Sequence, residues 1–210
     1  MGSDVNNFVI NIATANGTGS QSSNLIILHS MFEMGVPVSG KNLFPSNISG
    51  LPTWFIIRAS EYGYQAPGDK TNIQILMNKD TWHDDIDKME PGTVVIYNED
   101  AKLPVERDDC IVFSMPMTKM ARGIAPKFAK MMANMYYVGG LAYLLGINLK
   151  DMEKAVHSQF KGKEKAIEMN LRAISEGIAH AEQNWENTTT FKVEKMEKNP
   201  DTYLIEGNEA

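Results

Sequence analysis

The apolar positions of this chain change their period once, after Met115. Upstream of that point they fall in short runs. Phe8 to Ala13 is apolar and rich in branched residues, which predicts a buried strand. The turn-forming stretch Asn16 to Ser23 follows, then a periodic segment from Leu25 to Met34 closed by Gly35. Strand, glycine-containing loop and helix in that order predict the opening of a parallel α/β sheet. Val36 to Leu43, Thr53 to Ser60, Ile73 to Met77, Thr93 to Tyr97 and Ile111 to Met115 are the further predicted strands. Pro45 to Pro52 holds too many breakers for helix or strand. Trp82 to Met89 predicts one or two helical turns.

Downstream the period is 3.6, the mark of amphipathic helices. Pro126 to Leu145, Leu149 to Phe160 and Lys163 to Asn184 are the predicted helices, the last with Ile167, Leu171, Ile174 and Ile178 on one face. From Asn187 the chain turns polar and loses periodicity. There is no internal repeat and no low-complexity tract. The predicted fold class is α/β: a Rossmann-like, mostly parallel sheet with flanking helices and a helical C-terminal half.

Composition narrows the function classes. At 210 residues and 43% hydrophobic content the chain can bury a core of its own. A net charge of −6 argues against nucleic acid as the main partner, since phosphate backbones call for a basic face. No apolar run reaches the ~18 residues that a membrane span needs, and the first residues lack the regions of a signal peptide. The single cysteine, Cys110, can neither form an intramolecular disulfide nor supply the thiolates of an iron–sulfur cluster. A reducing cytoplasm is the expected compartment.

The segment Gly17-Thr18-Gly19-Ser20-Gln21-Ser22 stands where a phosphate-binding turn would stand. Glycines there permit a tight turn and close backbone approach, and the following helix offers unpaired N–H groups and a positive dipole end. Ser22 occupies the third glycine position of the dinucleotide fingerprint. A nicotinamide site would carry an acid roughly 20 residues on, where this chain has Ser39-Gly40-Lys41-Asn42-Leu43. Three readings stay open: a structural turn, an anion or partner site, and a nicotinamide site.

Several segments together resemble the gamma component of the 2-oxoacid:acceptor oxidoreductases. After the opening strand and glycine loop come Phe44-Pro45-Ser46-Asn47-Ile48-Ser49-Gly50-Leu51-Pro52-Thr53-Trp54-Phe55 and then Arg58-Ala59-Ser60. Met132-Ala133-Asn134-Met135 with Val138-Gly139-Gly140-Leu141 resembles the family's asparagine–methionine–glycine helix, and Phe160-Lys161-Gly162-Lys163 with Asn170 its final helix. The end, Tyr203 to Ala210, resembles the junction at which a fused gamma domain passes into the alpha, pyrimidine-binding domain. The fused order resembles the 2-oxoglutarate group most, with pyruvate and branched-chain oxoacid enzymes as relatives. Ser20, Ser22 and Ser49-Gly50-Leu51 depart from the family's usual glycines and Arg-Gly-Gly.

The resemblance implies a gamma-type domain over residues 1–186, then a linker and the truncated start of a pyrimidine-binding domain over 187–210. It implies an enzyme that turns a 2-oxoacid and coenzyme A into an acyl-CoA and carbon dioxide, passing electrons through iron–sulfur clusters to ferredoxin. Thiamine diphosphate, Mg and the clusters belong to the full complex, and none is expected on this piece, which alone is expected to be inactive. The implied partners are the following alpha domain, a beta-type subunit and ferredoxin through the complex, with self-association into a homodimer left open. Gly17, Thr18, Gly19, Ser20, Gln21, Ser22, Ser46 and Arg58 are expected to face the coenzyme A path. The alternative is a stand-alone nucleotide-binding Rossmann protein or NAD-dependent enzyme.

Other reactive residues read as structural. His29 and His180 lie within helices with no ligand-type residue at i+4, His83-Asp84-Asp85 with Asp87 reads as a solvated acidic face, and Cys110 as an inert thiol. The methionines from Met115 to Met135 divide between core and a subunit interface, and Gly139 and Gly140 favour the interface.

Overall fold

The computed structural model describes residues 4–43, 52–68, 70–198 and 200–205. Six strands form one sheet: β1 (Asn7–Ala15), β2 (Val38–Leu43), β3 (Pro52–Ser60), β4 (Ile73–Leu76), β5 (Val94–Asn98) and β6 (Ile111–Met115). Their order is β2-β3-β1-β4-β5-β6. β1, β4, β5 and β6 pair in parallel, while β3 runs antiparallel to both neighbours. The sheet is therefore mostly parallel, as expected, with one reversed strand set between β1 and the edge strand β2.

The helices are shared unequally between its faces. α1 (Ser20–Glu33), α3 (Met117–Ile124), α4 (Ala129–Leu145), α5 (Leu149–Gln159) and α6 (Glu164–Asn184) belong to the larger core. That core takes Phe8, Ile10 and Ile12 of β1 and Phe55, Ile57 and Ala59 of β3. The period-2 alternation of a strand sends their neighbours to the other face. There α2 (Trp82–Asp87) brings Trp82 against Leu76 and Val95.

α4 is buried on nearly every side, because α3, α6 and the sheet enclose it. Gly139 and Gly177 make the α4–α6 contact close. A Cβ on Gly139 would sit 2.3 Å from the Ile174 carbonyl oxygen, and one on Gly140 2.7 Å from the Trp185 ring. The expectation that Gly139 and Gly140 favour a subunit interface is therefore corrected: the room they leave is filled within this chain. The methionines follow suit. Met115, Met117, Met132 and Met135 are buried, and Met131 alone of the group is exposed, at 49%.

After α6 the chain returns along the domain. Asn187 Nδ2 donates to the Leu144 carbonyl at 3.0 Å, Val193 N to Leu145 at 2.7 Å and Met196 N to Met34 at 2.8 Å. Lys198 closes this arm on Glu33 at 2.7 Å.

Candidate functional site

β1 ends at Ala15 and α1 starts at Ser20, so the turn proper spans Asn16 to Gly19. Ser20, Gln21 and Ser22, expected in the loop, form the first turn of α1. Gly17 and Gly19 hold φ values of 83° and 76°, the left-handed region that glycine enters without strain. Thr18 folds back on Ala15, its N–H and Oγ1 both donating to that carbonyl at 3.3 and 2.7 Å. Asn134 of α4 donates to the Thr18 carbonyl at 2.8 Å, and Thr14 Oγ1 donates to Ser20 Oγ at 2.9 Å. Beneath the turn, the Tyr137 hydroxyl donates to Asn24 Oδ1 at 2.7 Å and lies 2.8 Å from Ser23 Oγ. Burial pushes the Tyr137 phenol above its ordinary value, so it stays a donor near neutral pH.

No side chain caps α1, and its first turn holds no acid. Its leading N–H groups thus lack side-chain acceptors and carry the positive end of the helix dipole. They border a cleft of about 380 Å³ whose lining includes Asn16, Gly19, Ser20, Asn42, Thr53 and Phe55, with no charged side chain in it. A larger cleft of about 890 Å³ shares Gln21, Asn42 and Phe55 and continues past His29 to Tyr203. This is the carboxyl end of β1, where open parallel sheets bind ligands. An uncharged, hydrogen-bonding wall beside free helix N–H groups suits a phosphate-bearing molecule.

Of the expected site residues, Gly17, Gly19, Ser20 and Gln21 line the smaller cleft. Thr18 is turned inward, and Ser22 sits on the helix 3.5 Å from Gln159 Nε2. Ser46 lies outside the described residues. Arg58 is not brought to this group. It pairs with Val9 in the β1–β3 register and donates to Asn7 Oδ1 at 2.6 Å, near the start of β1. Six strand residues separate Val9 from Ala15, about 20 Å, and Arg58 faces away from the α1 side of the sheet. One ligand end held by the loop is therefore not also held by Arg58.

The acid that a nicotinamide site would need is missing in the fold as well. Residues 39–43 lie on the edge strand β2, separated from β1 by the reversed strand β3. A second correction concerns Asp85, expected on a solvated face. His83, Asp84 and Asp87 are exposed, but Asp85 is 4% exposed, accepting from Trp54 Nε1 at 2.8 Å and Thr81 Oγ1 at 2.7 Å. Burial raises its pKa above the ordinary carboxylate value despite these two donors. Burial also raises the thiol of half-buried Cys110. Among the described residues no group of three or more His, Cys, Asp and Glu could hold a metal, and no helix is long and apolar enough to cross a membrane.

One feature beside the loop lies outside every motif. From Cys110 to Lys150 the chain has no Asp or Glu, although acids make up 26 of its 210 residues. The signal was available in the sequence as a run of one-sided charge. It covers α3, the turn Pro126–Phe128 and α4, which packs against the glycine loop through Met131 and Asn134.

Known proteins resemble this chain in sequence and in fold. The 2-oxoglutarate oxidoreductase subunit KorA of Mycobacterium tuberculosis is 24% identical over 232 aligned residues, covering 97% of this chain and 36% of that protein. The chain thus spans about a third of the length of the curated relatives it matches. A 2-oxoglutarate:ferredoxin oxidoreductase from Magnetococcus marinus, solved with 2-oxoglutarate, coenzyme A and succinyl-CoA bound, superposes with a TM-score of 0.83 at 23% identity. The match covers 92% of this chain and 34% of that one. The gamma subunit of a keto/oxoacid ferredoxin oxidoreductase from Geobacter sulfurreducens superposes with a TM-score of 0.69 at 16% identity, covering 84% of this chain and 99% of the subunit. The fold is thus that of an oxidoreductase gamma subunit. The pyruvate ferredoxin/flavodoxin oxidoreductase model matches residues 9–180, and the chain belongs to that family.

Proposed function

We propose that this chain is the gamma-type domain of a cytoplasmic 2-oxoacid:ferredoxin oxidoreductase, with 2-oxoglutarate as its oxoacid. The family match over residues 9–180 carries the reading, and the similarity to the mycobacterial 2-oxoglutarate subunit supports the substrate. In this reading residues 1–186 are the domain, and 187–210 lead toward a pyrimidine-binding domain. A beta-type subunit completes the enzyme.

Thiamine diphosphate, when bound elsewhere in that enzyme, supplies the stabilisation of the decarboxylated carbanion. The residues of this chain do not fit that group or an iron–sulfur cluster, because they offer one cysteine and, among those described, no metal-ligating set. What the chain offers is a wall of the coenzyme A path. The N–H groups of Ser20, Gln21 and Ser22 donate to an anionic group, and Gly17 and Gly19 let it approach the backbone. Ser46, in the segment that follows β2, belongs to the same path in this reading.

Gly19→Val tests the loop's role, because it puts a branched side chain at a φ of 76° and against Met131. In the assembled enzyme, assayed by dye reduction, the coenzyme A KM should rise about tenfold or more, the loss of one charge-assisted contact. The KM for 2-oxoglutarate should stay within about twofold. An unchanged coenzyme A KM would remove the loop from the path.

A further inference from the structure

We propose that the free edge of β6 and the acidic groove beside it form a docking site for an extended segment of a partner protein that bears lysine or arginine. The inference is independent of the coenzyme A reading, since β6 stands at the opposite end of the strand order from β2, which lines the larger cleft. Ile111 N donates to the Thr93 carbonyl at 3.0 Å, and the parallel register carries that pattern on to Phe113 and Met115. The alternation of a strand then turns the main-chain groups of Val112 and Ser114 away from β5. Among the described residues no strand pairs with that side. The Ser114 carbonyl accepts from Trp185 Nε1 at 2.8 Å. The N–H and carbonyl of Val112 and the N–H of Ser114 are left for a further strand.

Sheet edges that stay unpaired in solution usually carry a lysine, a proline, a bulge or a cover. β2 has Lys41 in its interior. β6, Ile111-Val112-Phe113-Ser114-Met115, has neither charge nor proline, so its edge is open to pairing. A groove of about 560 Å³ runs between this strand and the end of α6. Its apolar wall is the contact of Phe113 with Trp185, ring centroids 5.0 Å apart. Gly140 backs that wall closely, since a Cβ there would come within 2.7 Å of the Trp185 ring. The carboxylates of the lining are Glu99 and Glu186, both exposed, and the lining holds no lysine or arginine. Among the described residues neither acid is in an ion pair. Arg107, just ahead of the strand, is already taken by Asp109 at 2.6 Å.

These two uncompensated acids choose the occupant. A second copy of this chain, paired β6 to β6, would set them against their own kind, which costs energy. A small cation would meet the carboxylates and leave the main-chain groups of the edge unpaired. An extended segment with cationic side chains uses both: the backbone pairs with Val112 and Ser114, and the side chains reach Glu99 and Glu186.

Amide hydrogen exchange, read residue by residue by NMR on the whole chain, tests the site. The probe is a peptide of alternating valine and lysine about ten residues long, enough for a strand, and its counterpart carries glutamate for lysine. The lysine peptide at saturation should slow exchange at Val112 and Ser114 about tenfold or more, and the glutamate peptide should leave both unchanged. Val112→Pro removes an outward N–H and spares the ladder to β5, a position at which edge strands accept proline. Glu99→Gln/Glu186→Gln removes the charge and leaves the backbone intact. Each variant should bind the lysine peptide about tenfold more weakly than the parent, and the parent's affinity should fall with salt. The glutamine pair decides alone if the proline disturbs the fold. No protection by the lysine peptide, protection at β2 instead, or parent-like affinity in a folded variant overturns the proposal. Protection of Val112 and Ser114 that grows with chain concentration and needs no peptide makes the edge a contact between copies of this chain, and overturns it too.

Discussion

Gly139 and Gly123 are both helical glycines, and they illustrate how much a neighbour decides. Gly139 faces the backbone of α6, with the Ile174 oxygen 2.3 Å from where its Cβ would stand, whereas nothing lies within 4 Å of the same point on Gly123. Gly139→Ala should therefore destabilise the fold by roughly 1–3 kcal/mol, the usual range for overpacking. Gly123→Ala should be neutral or stabilising by up to about 1 kcal/mol, through helix propensity and a less flexible unfolded chain. Urea denaturation of both variants checks the contrast, and similar midpoints would contradict it. The sequence marks Gly139 as a place of close approach, but a single chain of letters does not name the partner, because α6 arrives some 35–40 residues later. The same limit applies at the site. The glycines of the turn are legible from their spacing, whereas the inward rotation of Thr18 and the distance of Arg58 follow from strand register.

At the scale of elements, α2 is tied to the sheet by Asp85 through Trp54 of β3, while Thr81 at the start of α2 donates to its other carboxylate oxygen. Its pKa is raised above 3.8 by burial first, so folding favours the neutral acid. The resulting contribution is fully present below the unfolded value and is lost as pH rises through the higher folded value. At pH 7 the buried carboxylate is a cost. Asp85→Asn, which keeps an acceptor for Trp54, should be more stable than the parent at pH 7, and the difference should shrink as pH falls toward 3.8 and below. A stability difference independent of pH would show that Asp85 is not neutralised on folding. Burial of one acid in the polar run His83, Asp84, Asp85 and Asp87 is hard to read from sequence, since α2 is six residues long and shows little periodicity. The strands, α5 and α6 are legible because their apolar periods are regular, whereas α1, buried over most of its length, is legible from the glycine turn that precedes it. α3 was not, because it is eight residues long between Pro116 and Pro126 and buries only Met117 and Ala121. α4 was legible as a helix through its apolar length, although burial on nearly all sides erases the stripe that a surface helix shows.

For the molecule as a whole, the parallel strands bring the glycine turn, the uncharged clefts and the first turn of α4 to one end of the sheet. Phe55 of the reversed strand β3 and residues of the edge strand β2 line those clefts. In the proposed reading this arrangement makes the chain a binding domain for chemistry carried out elsewhere in a larger enzyme. The most direct test is turnover by this domain assembled with its thiamine-binding partner domain and beta-type subunit. Dye reduction would be followed with 2-oxoglutarate, pyruvate and 2-oxoisovalerate, each with and without coenzyme A. Coenzyme A-dependent reduction with 2-oxoglutarate should exceed that with the other two acids. No turnover with any of the three, from an intact complex loaded with thiamine diphosphate, would contradict the assignment.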